Sequence, residues 1–411
     1  MRKIAALWFL LVVPSTSDAA DPLRYVVILT RHGVRAPTWA NERLNAYSTS
    51  PWPDFGVPPG HLTPRGRELM RIMGAYYREE YSSRGLALDE KSVYLWADTD
   101  QRTIESARGL AEGLSPARKP EVHRLAGAGA DPVFNAVEAG VARQDRAAAL
   151  AALHGRVGKD LQPLVAAHVA AFETLDSILN GGASRAPRSI FDEQAALRAE
   201  TDGVVMTGPL RLASTFTENL LLEYAEGMQG DRLGWGRLSE ARLLEIMDLH
   251  TAYANLMRRT PALAWPRASV LLSRIAASLD QASSGKAVAG AFGSPLTKVL
   301  VLSGHDSNVS NVAGLLDVDW AIPSYQPGDV PPGGALIFEL WKDAPTDSPS
   351  IRVRFAAQTL EQMRQATPLS KERPPAVADL FVPWCSSSAP GYSCSSGVFL
   401  SRIRAMAGGK F

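Results

Sequence analysis

Three short apolar runs, Tyr25–Leu29, Val93–Ala97 and Val299–Leu302, stand out from an otherwise mixed pattern of hydrophobic and polar positions. Continuous apolarity over four or five β-prone residues predicts strands buried on both faces, as in parallel sheets covered by helices. After the first run, Thr63-Pro64 supplies an N-cap and a first-turn proline. Leu69, Ile72, Met73 and Tyr76 then form the stripe of a helix ending near Gly85. From about Val141 to Pro266 the character changes: the stretch is Ala-rich and lacks convincing strands. Within it Leu161, Val165, Phe172, Leu175 and Leu179 recur at helical spacing until Gly181-Gly182 stops the run. Residues Gly181–Arg198 read as a mobile polar loop. Ala335–Trp341 and Ile351–Phe355, on either side of Pro345-Thr346-Asp347, alternate like a half-exposed antiparallel pair at a sheet edge.

Together these patterns predict an α/β fold: an open, mostly parallel sheet with flanking helices, interrupted by an inserted all-α domain. The expected divisions are α/β residues 21–140, the helical insertion 141–266 and α/β residues 267–411. The first twenty residues stand apart. Met1-Arg2-Lys3, the apolar Ile4–Val13 and the small-residue Ser17-Asp18-Ala19-Ala20 follow the pattern of a secretory signal over residues 1–20. That apolar core is too short to span a bilayer as a helix, and no later stretch reaches about eighteen uninterrupted apolar residues. The mature protein is therefore expected to be soluble and periplasmic or secreted.

Composition narrows the partners. The formal net charge of the 411 residues is +1, and removal of Arg2, Lys3 and Asp18 with the signal leaves none. Such a balance gives no support to a nucleic-acid or membrane-surface partner; an anionic ligand must be captured by local clustering of arginines. The two cysteines, Cys385 and Cys394, bracket a turn-rich segment, and in an oxidising compartment they are expected to form a disulfide. Closing so short a loop stabilises by about 2–3 kcal/mol in the chain-entropy picture.

Each apolar run delivers a chemically loaded motif at its carboxyl end, where open α/β sheets bind ligands. The first is Arg31-His32-Gly33-Val34-Arg35-Ala36-Pro37. Guanidiniums grip phosphate oxygens bidentately, and a neutral imidazole between them can attack phosphorus and carry the phosphoryl group. The second motif, Ala97-Asp98-Thr99-Asp100-Gln101-Arg102-Thr103, adds a third guanidinium, Arg102. In the third, Ser303-Gly304-His305-Asp306-Ser307-Asn308, the His305 side chain can donate to phosphate. Asp306 can protonate the leaving oxygen as a general acid, and for this it must hold a proton, which limits activity on the alkaline side. No His-Glu-x-x-His pattern or Walker loop occurs, so the chemistry is expected to need no metal and no cofactor. His61, His123, His154 and His250 show no ligand spacing.

These motifs resemble those of the branch-two histidine acid phosphatases, and most of all the bacterial periplasmic acid phosphatase/4-phytases. The likeness extends through Leu62-Thr63-Pro64-Arg65-Gly66, Asp131-Pro132-Val133-Phe134-Asn135, Gly234-Trp235-Gly236-Arg237, Leu249-His250, Arg259-Thr260-Pro261 and Pro331-Pro332-Gly333-Gly334. It implies a phosphoglycerate-mutase-like sheet, with His32 as nucleophile and Asp306 as proton donor. Arg31, Arg35, Arg102 and His305 would hold the phosphate, Thr38 would lie nearby, and Glu218 would be a substrate-pocket acid contributed by the helical part. Two departures matter. Trp39 stands where relatives carry a lysine that helps meet highly anionic substrates, and of the relatives' several disulfides only Cys385–Cys394 has a counterpart.

The expected activity is hydrolysis of phosphomonoesters, with phytate (myo-inositol hexakisphosphate) the leading substrate. A glucose-1-phosphatase-like enzyme, a mutase-like transferase and a phosphate-ester binding protein without catalysis are the alternatives. Export and the Gly304-His305-Asp306 acid argue against the transferase, and the retention of both His32 and Asp306 argues against mere binding.

Overall fold

The computed structural model describes residues 22–407 except 90, 183–184, 202, 343–347 and 390. The expected signal at residues 1–20 and the turn at Pro345-Thr346-Asp347 lie outside the described residues.

Ten strands occur in chain order among the described residues. They are β1 (Leu23–Arg31), β2 (Val93–Ala97), β3 (Val122–Arg124), β4 (Ala196–Glu200), β5 (Gly203–Thr207), β6 (Val299–Gly304), β7 (Ala335–Lys342), β8 (Pro349–Ala357), β9 (Ala376–Leu380) and β10 (Cys394–Ser395). The helices that matter for the site are α1 (Pro64–Ser83), α2 (Gln101–Leu114), α3 (Val169–Asn180), α4 (Pro209–Ala225), α5 (Glu240–Met257), α6 (Pro261–Ser284) and α7 (Asp306–Leu316).

The main sheet runs in the order β10-β8-β7-β1-β6-β2-β3, with β9 paired to β8. The three apolar runs read from the sequence become β1, β6 and β2, neighbours in the parallel half. Their register aligns Arg31 with Gly304 and Ala97 with Ser303, so the three carboxyl ends finish level. One face of β1 packs Val26 and Ile28 toward Leu69, Met73 and Leu110 of α1 and α2. The other packs Val27 and Leu29 toward Leu272 and Ile275 of α6 and Val309 of α7. Burial on both faces explains why these strands carry no polar alternation.

Two expectations are corrected. The Ala335–Trp341 and Ile351–Phe355 segments do pair antiparallel, but not at an edge. β7 lies between β1 and β8, and β8 is covered by β9 and β10. Leu336, Phe338 and Leu340 face one core and Ala335, Ile337 and Trp341 the other, so β7 is buried on both sides. The Ala-rich stretch expected to lack strands contains the hairpin β4–β5, in register from Ala196↔Thr207 to Glu200↔Gly203. Val204 and Met206 point inward there, a period-two signal too short to show against helical surroundings. The expected loop thus ends in a strand. The helix α6 runs through Pro266. No helix among the described residues is long and apolar enough to cross a membrane.

Cys385 and Cys394 form a disulfide, with Cα atoms 5.2 Å apart. Since Cys394 pairs with Ile351, the bridge fastens the last segment to the sheet.

Close backbone contact anchors the loop that follows β1. A Cβ on Gly66, in the first turn of α1, would lie 2.0 Å from the Val34 carbonyl oxygen, and one on Gly33 would lie 2.7 Å from the Gly66 oxygen. Gly66→Ala is therefore expected to cost about 1–3 kcal/mol as an overpacking change and to lower any activity that depends on this loop. Gly155→Ala, where a Cβ meets nothing within 4 Å, should leave the denaturation midpoint near that of the parent. Urea titration of both variants makes the comparison, and equal midpoints would count against the contact.

Candidate active site

The first motif leaves the sheet as an extension of it. The His32 N–H donates to the Gly304 carbonyl at 2.9 Å, and the Gly333 N–H donates to the His32 carbonyl at 3.1 Å. Gly33 N–H is held by Ser106 Oγ at 2.9 Å. Thr63 caps α1 by accepting from Gly66 N–H at 2.9 Å, and its own N–H reaches the Val34 carbonyl at 3.0 Å. Leu62–Gly66 is thus a seat for the loop, and Arg31, His32 and Arg35 are all buried on it.

His32 Nδ1 lies 2.8 Å from the Gly33 carbonyl oxygen. A carbonyl can only accept, so Nδ1 carries the proton and Nε2 keeps its lone pair. Burial, reinforced by Arg31, Arg35, His305 and Arg102, holds this imidazole well below the usual histidine range, which favours the neutral ring.

The His305 ring meets that of His32 edge-on, with centroids 5.6 Å apart. Its Nε2 lies 2.7 Å from Asp98 Oδ2 and 3.5 Å from Asp100 Oδ2. Asp98 also accepts from Asn135 Nδ2 at 2.8 Å and Thr99 N–H at 2.7 Å. Burial alone would raise this carboxyl, but His305 and these donors lower it. Asp98 therefore orients His305, a role that its place just after β2 could have suggested.

The guanidiniums are shared with carboxylates. Glu218, on α4, bridges Arg31 and Arg35, with Arg35 Nη2 at 2.9 Å from Oε1. Arg31 Nη1 donates to the Val330 carbonyl at 2.6 Å. Arg102 pairs with Asp100 at 2.6 Å. A Cβ built on Gly60 would lie 3.6 Å from Arg102 Nη1 and 3.7 Å from Thr38 Cγ2, which puts exposed Thr38 and Arg102 beside the same glycine. The buried Nε groups of Arg31, Arg35 and Arg102 have no hydrogen-bond partner among the described residues. The same three arginines act electrostatically on His32, so cations of one sign surround it.

Asp306, the first residue of α7, is ion-paired with Arg258 just beyond the end of α5. Burial would raise its carboxyl, but Arg258, Arg31 and His250 hold it well below the usual range. This corrects the expectation of a protonated Asp306: the adjacent guanidinium makes the carboxylate the stable form. Arg258 was not singled out from the sequence, and Leu249-His250 entered the family likeness without a role. His250 Nε2 lies 4.0 Å from Asp306 Oδ2. Asp329 is buried in front of β7 with both carboxylate oxygens unpaired, and burial raises it.

Glu218, His250 and Asp306 lie close enough to share a metal ion, as do Asp98, Asp100 and His305. In both groups the carboxylates already face Arg31, Arg35, Arg258, Arg102 or His305. A divalent cation would have to enter beside those charges, whereas an anion would be drawn to them.

Comparison with known proteins agrees with this geometry. The family model for the histidine phosphatase superfamily (branch 2) matches residues 22–356. The chain is 35% identical to phytase AppA of Escherichia coli, over 97% of each chain. It is 28% identical to a glucose-1-phosphatase of Providencia rettgeri, over 93% of this chain and 91% of the relative. The solved structure of Hafnia alvei phytase in complex with tartrate superposes with a TM-score of 0.87 at 34% identity, covering 94% of this chain and 98% of the other. A parallel sheet end that gathers Arg31-His32, Arg102 and His305-Asp306, and a match that runs from the first described strand through β8, place this chain in branch 2 of the histidine phosphatase superfamily.

Proposed function

We propose that the chain is an exported acid phosphatase that hydrolyses phosphomonoesters, phytate foremost, through a phosphohistidine. One observation carries this reading: a neutral His32, its Nε2 lone pair free, stands among arginines whose Nε donors lack partners. The relatives support the substrate class, being a phytase and a glucose-1-phosphatase. The disulfide fits an oxidising compartment.

The reaction follows from the placement of groups. A phosphate drawn to Arg31 and Arg35 displaces the Glu218 carboxylate from them. His32 Nε2 attacks phosphorus in line while Asp306 delivers a proton to the departing oxygen. The alcohol leaves, and water, losing its proton to Asp306, then releases phosphate from His32. Arg31, Arg35, Arg102 and His305 hold the equatorial oxygens through both steps, stabilising the charge there. In the segment after the first motif, the Arg43 guanidinium lies over the Trp39 ring at 3.4 Å from its centroid. It supplies a cation beside the residue that stands where relatives use lysine, which favours a substrate bearing several phosphates, such as phytate, over a sugar monophosphate.

His32→Ala is expected to lower turnover by at least about 10⁴-fold, as loss of a nucleophile does. The parent, quenched in alkali during turnover, should yield an acid-labile phosphoenzyme; its absence, with stereochemistry showing direct attack by water, would overturn the covalent route. Asp306→Asn should cost an alkyl or inositol phosphate about 10²–10⁴-fold and a nitrophenyl phosphate, whose anion leaves unaided, far less. Equal losses on the two substrates would mean that Asp306 only positions the ester.

Glu218→Gln removes the negative charge with which phosphate competes. A charge-assisted hydrogen bond is worth about 1.5–3 kcal/mol, so the inhibition constant for inorganic phosphate should fall by roughly tenfold or more. Steady-state inhibition at constant pH measures it, and weaker inhibition would show that Glu218 assists phosphate binding instead.

A further inference from the structure

Adjacent arginines at the end of α5 face opposite ways. Arg259 turns to the loop after α7, donating to the Val318 carbonyl and lying 3.4 Å from Asp319. Arg258 turns into the site, onto Asp306. Its backbone N–H closes the last turn of α5 on Ala254 at 2.9 Å, so helix and guanidinium are fixed together.

Asp306 has each oxygen engaged by a donor. Oδ1 accepts the Ser307 N–H at 2.8 Å, and Oδ2 accepts from Arg258 Nη1. Two donors, one of them a cation, hold the carboxylate oxygens, and this contact favours the ionised form. Charged groups from several elements act on it among the described residues. Arg258 and His250 come from α5 and its end, Arg31 and Arg35 from β1 and the loop beyond, Glu218 from α4, and Asp329 from the segment before β7. Glu218 and Asp329 act against ionisation and the cations favour it; among the cations, Arg258 is the one in direct contact.

We propose that Arg258 is a positioning residue that sets how tightly Asp306 holds its proton, and through it the alkaline limit of the enzyme on esters of poorly leaving alcohols. The inference rests on Asp306 being the general acid. With Arg258 in place, the proton for the leaving group arrives with the substrate. Below its second ionisation, at a pKa of about 6, a phosphomonoester is a monoanion bearing one proton. That proton passes from a phosphate oxygen to Asp306 Oδ2 as Arg258 gives up that oxygen. It then passes to the bridging oxygen as the P–O bond breaks and the His32 Nε2–P bond forms. The alcohol departs neutral, Asp306 returns to Arg258 as a carboxylate, and no co-reactant is needed.

The test is the dependence of kcat on pH with glycerol 2-phosphate for the parent, Arg258→Gln and Arg258→Lys. An opposite charge in contact lowers an acid by about one to three pKa units. Its removal in Arg258→Gln should therefore move the alkaline limb up by roughly that much, while the charge-keeping lysine should hold it nearer the parent. With 4-nitrophenyl phosphate, which leaves without the proton, the limb should move less. Thermal melts verify folding, and Arg258→Met, which keeps an apolar stem, reads the same limb if the glutamine variant does not fold. A limb that stays at the parent position, or that shifts equally for glutamine and lysine, overturns the proposal. Such a failure is distinct from failure of the phosphohistidine reading, which turns on His32→Ala and on the trapped phosphoenzyme.

Discussion

Burying guanidinium groups is the constraint around which this site is built. Arg31 is among the largest fully buried side chains of the protein, and an isolated charge in such a place is too costly to persist without partners. The fold answers with carboxylates from other segments: Glu218 on Arg31 and Arg35, Asp100 on Arg102, Asp306 on Arg258. These pairs serve the resting protein and also define the reaction. Whatever anion enters must take over donors that a carboxylate holds, so affinity is a difference between two anions and not the full strength of the arginine grip. In the proposed reaction Asp306 is then both a counter-ion and an acid, two roles that require opposite protonation states.

The same logic explains why His32 is neutral without a neighbouring base. Serine and cysteine nucleophiles need a partner to remove a proton, whereas an imidazole surrounded by cations has already lost it. The structure supplies only what the ring then lacks, a fixed tautomer through the Gly33 carbonyl.

Much of this was legible in the sequence because it is written in strands. Tyr25–Leu29, Val93–Ala97 and Val299–Leu302 are apolar for a reason that survives folding, burial on both faces, and each is followed directly by its reactive residues. What escaped was chemistry carried by helices. Glu218 could be named from family likeness alone, since one carboxylate on an amphipathic helix looks like any other. Arg258 and Arg259 are the same residue type side by side, and only the α5–α7 packing separates the one that meets Asp306 from the one that meets Asp319. The β4–β5 hairpin escaped for a different reason: two five-residue strands, the second opened by a glycine, leave too few positions for period two to outweigh alanine content.

The neighbours of β1 have a consequence for how the chain reaches this state. The first strand made is the central one, yet its partners β6 and β7 begin at Val299 and Ala335. Thr30 Oγ1 donates to the Gly333 carbonyl across 303 residues of sequence. The edges of Leu23–Arg31 thus stay open for most of synthesis, and the loop that carries His32 gains its final shape only when the last third of the protein docks. Contacts of such span fold slowly and leave sticky intermediates. A fragment ending before Gly334 would carry every residue of the cradle but lack β7, the strand that closes one edge of β1.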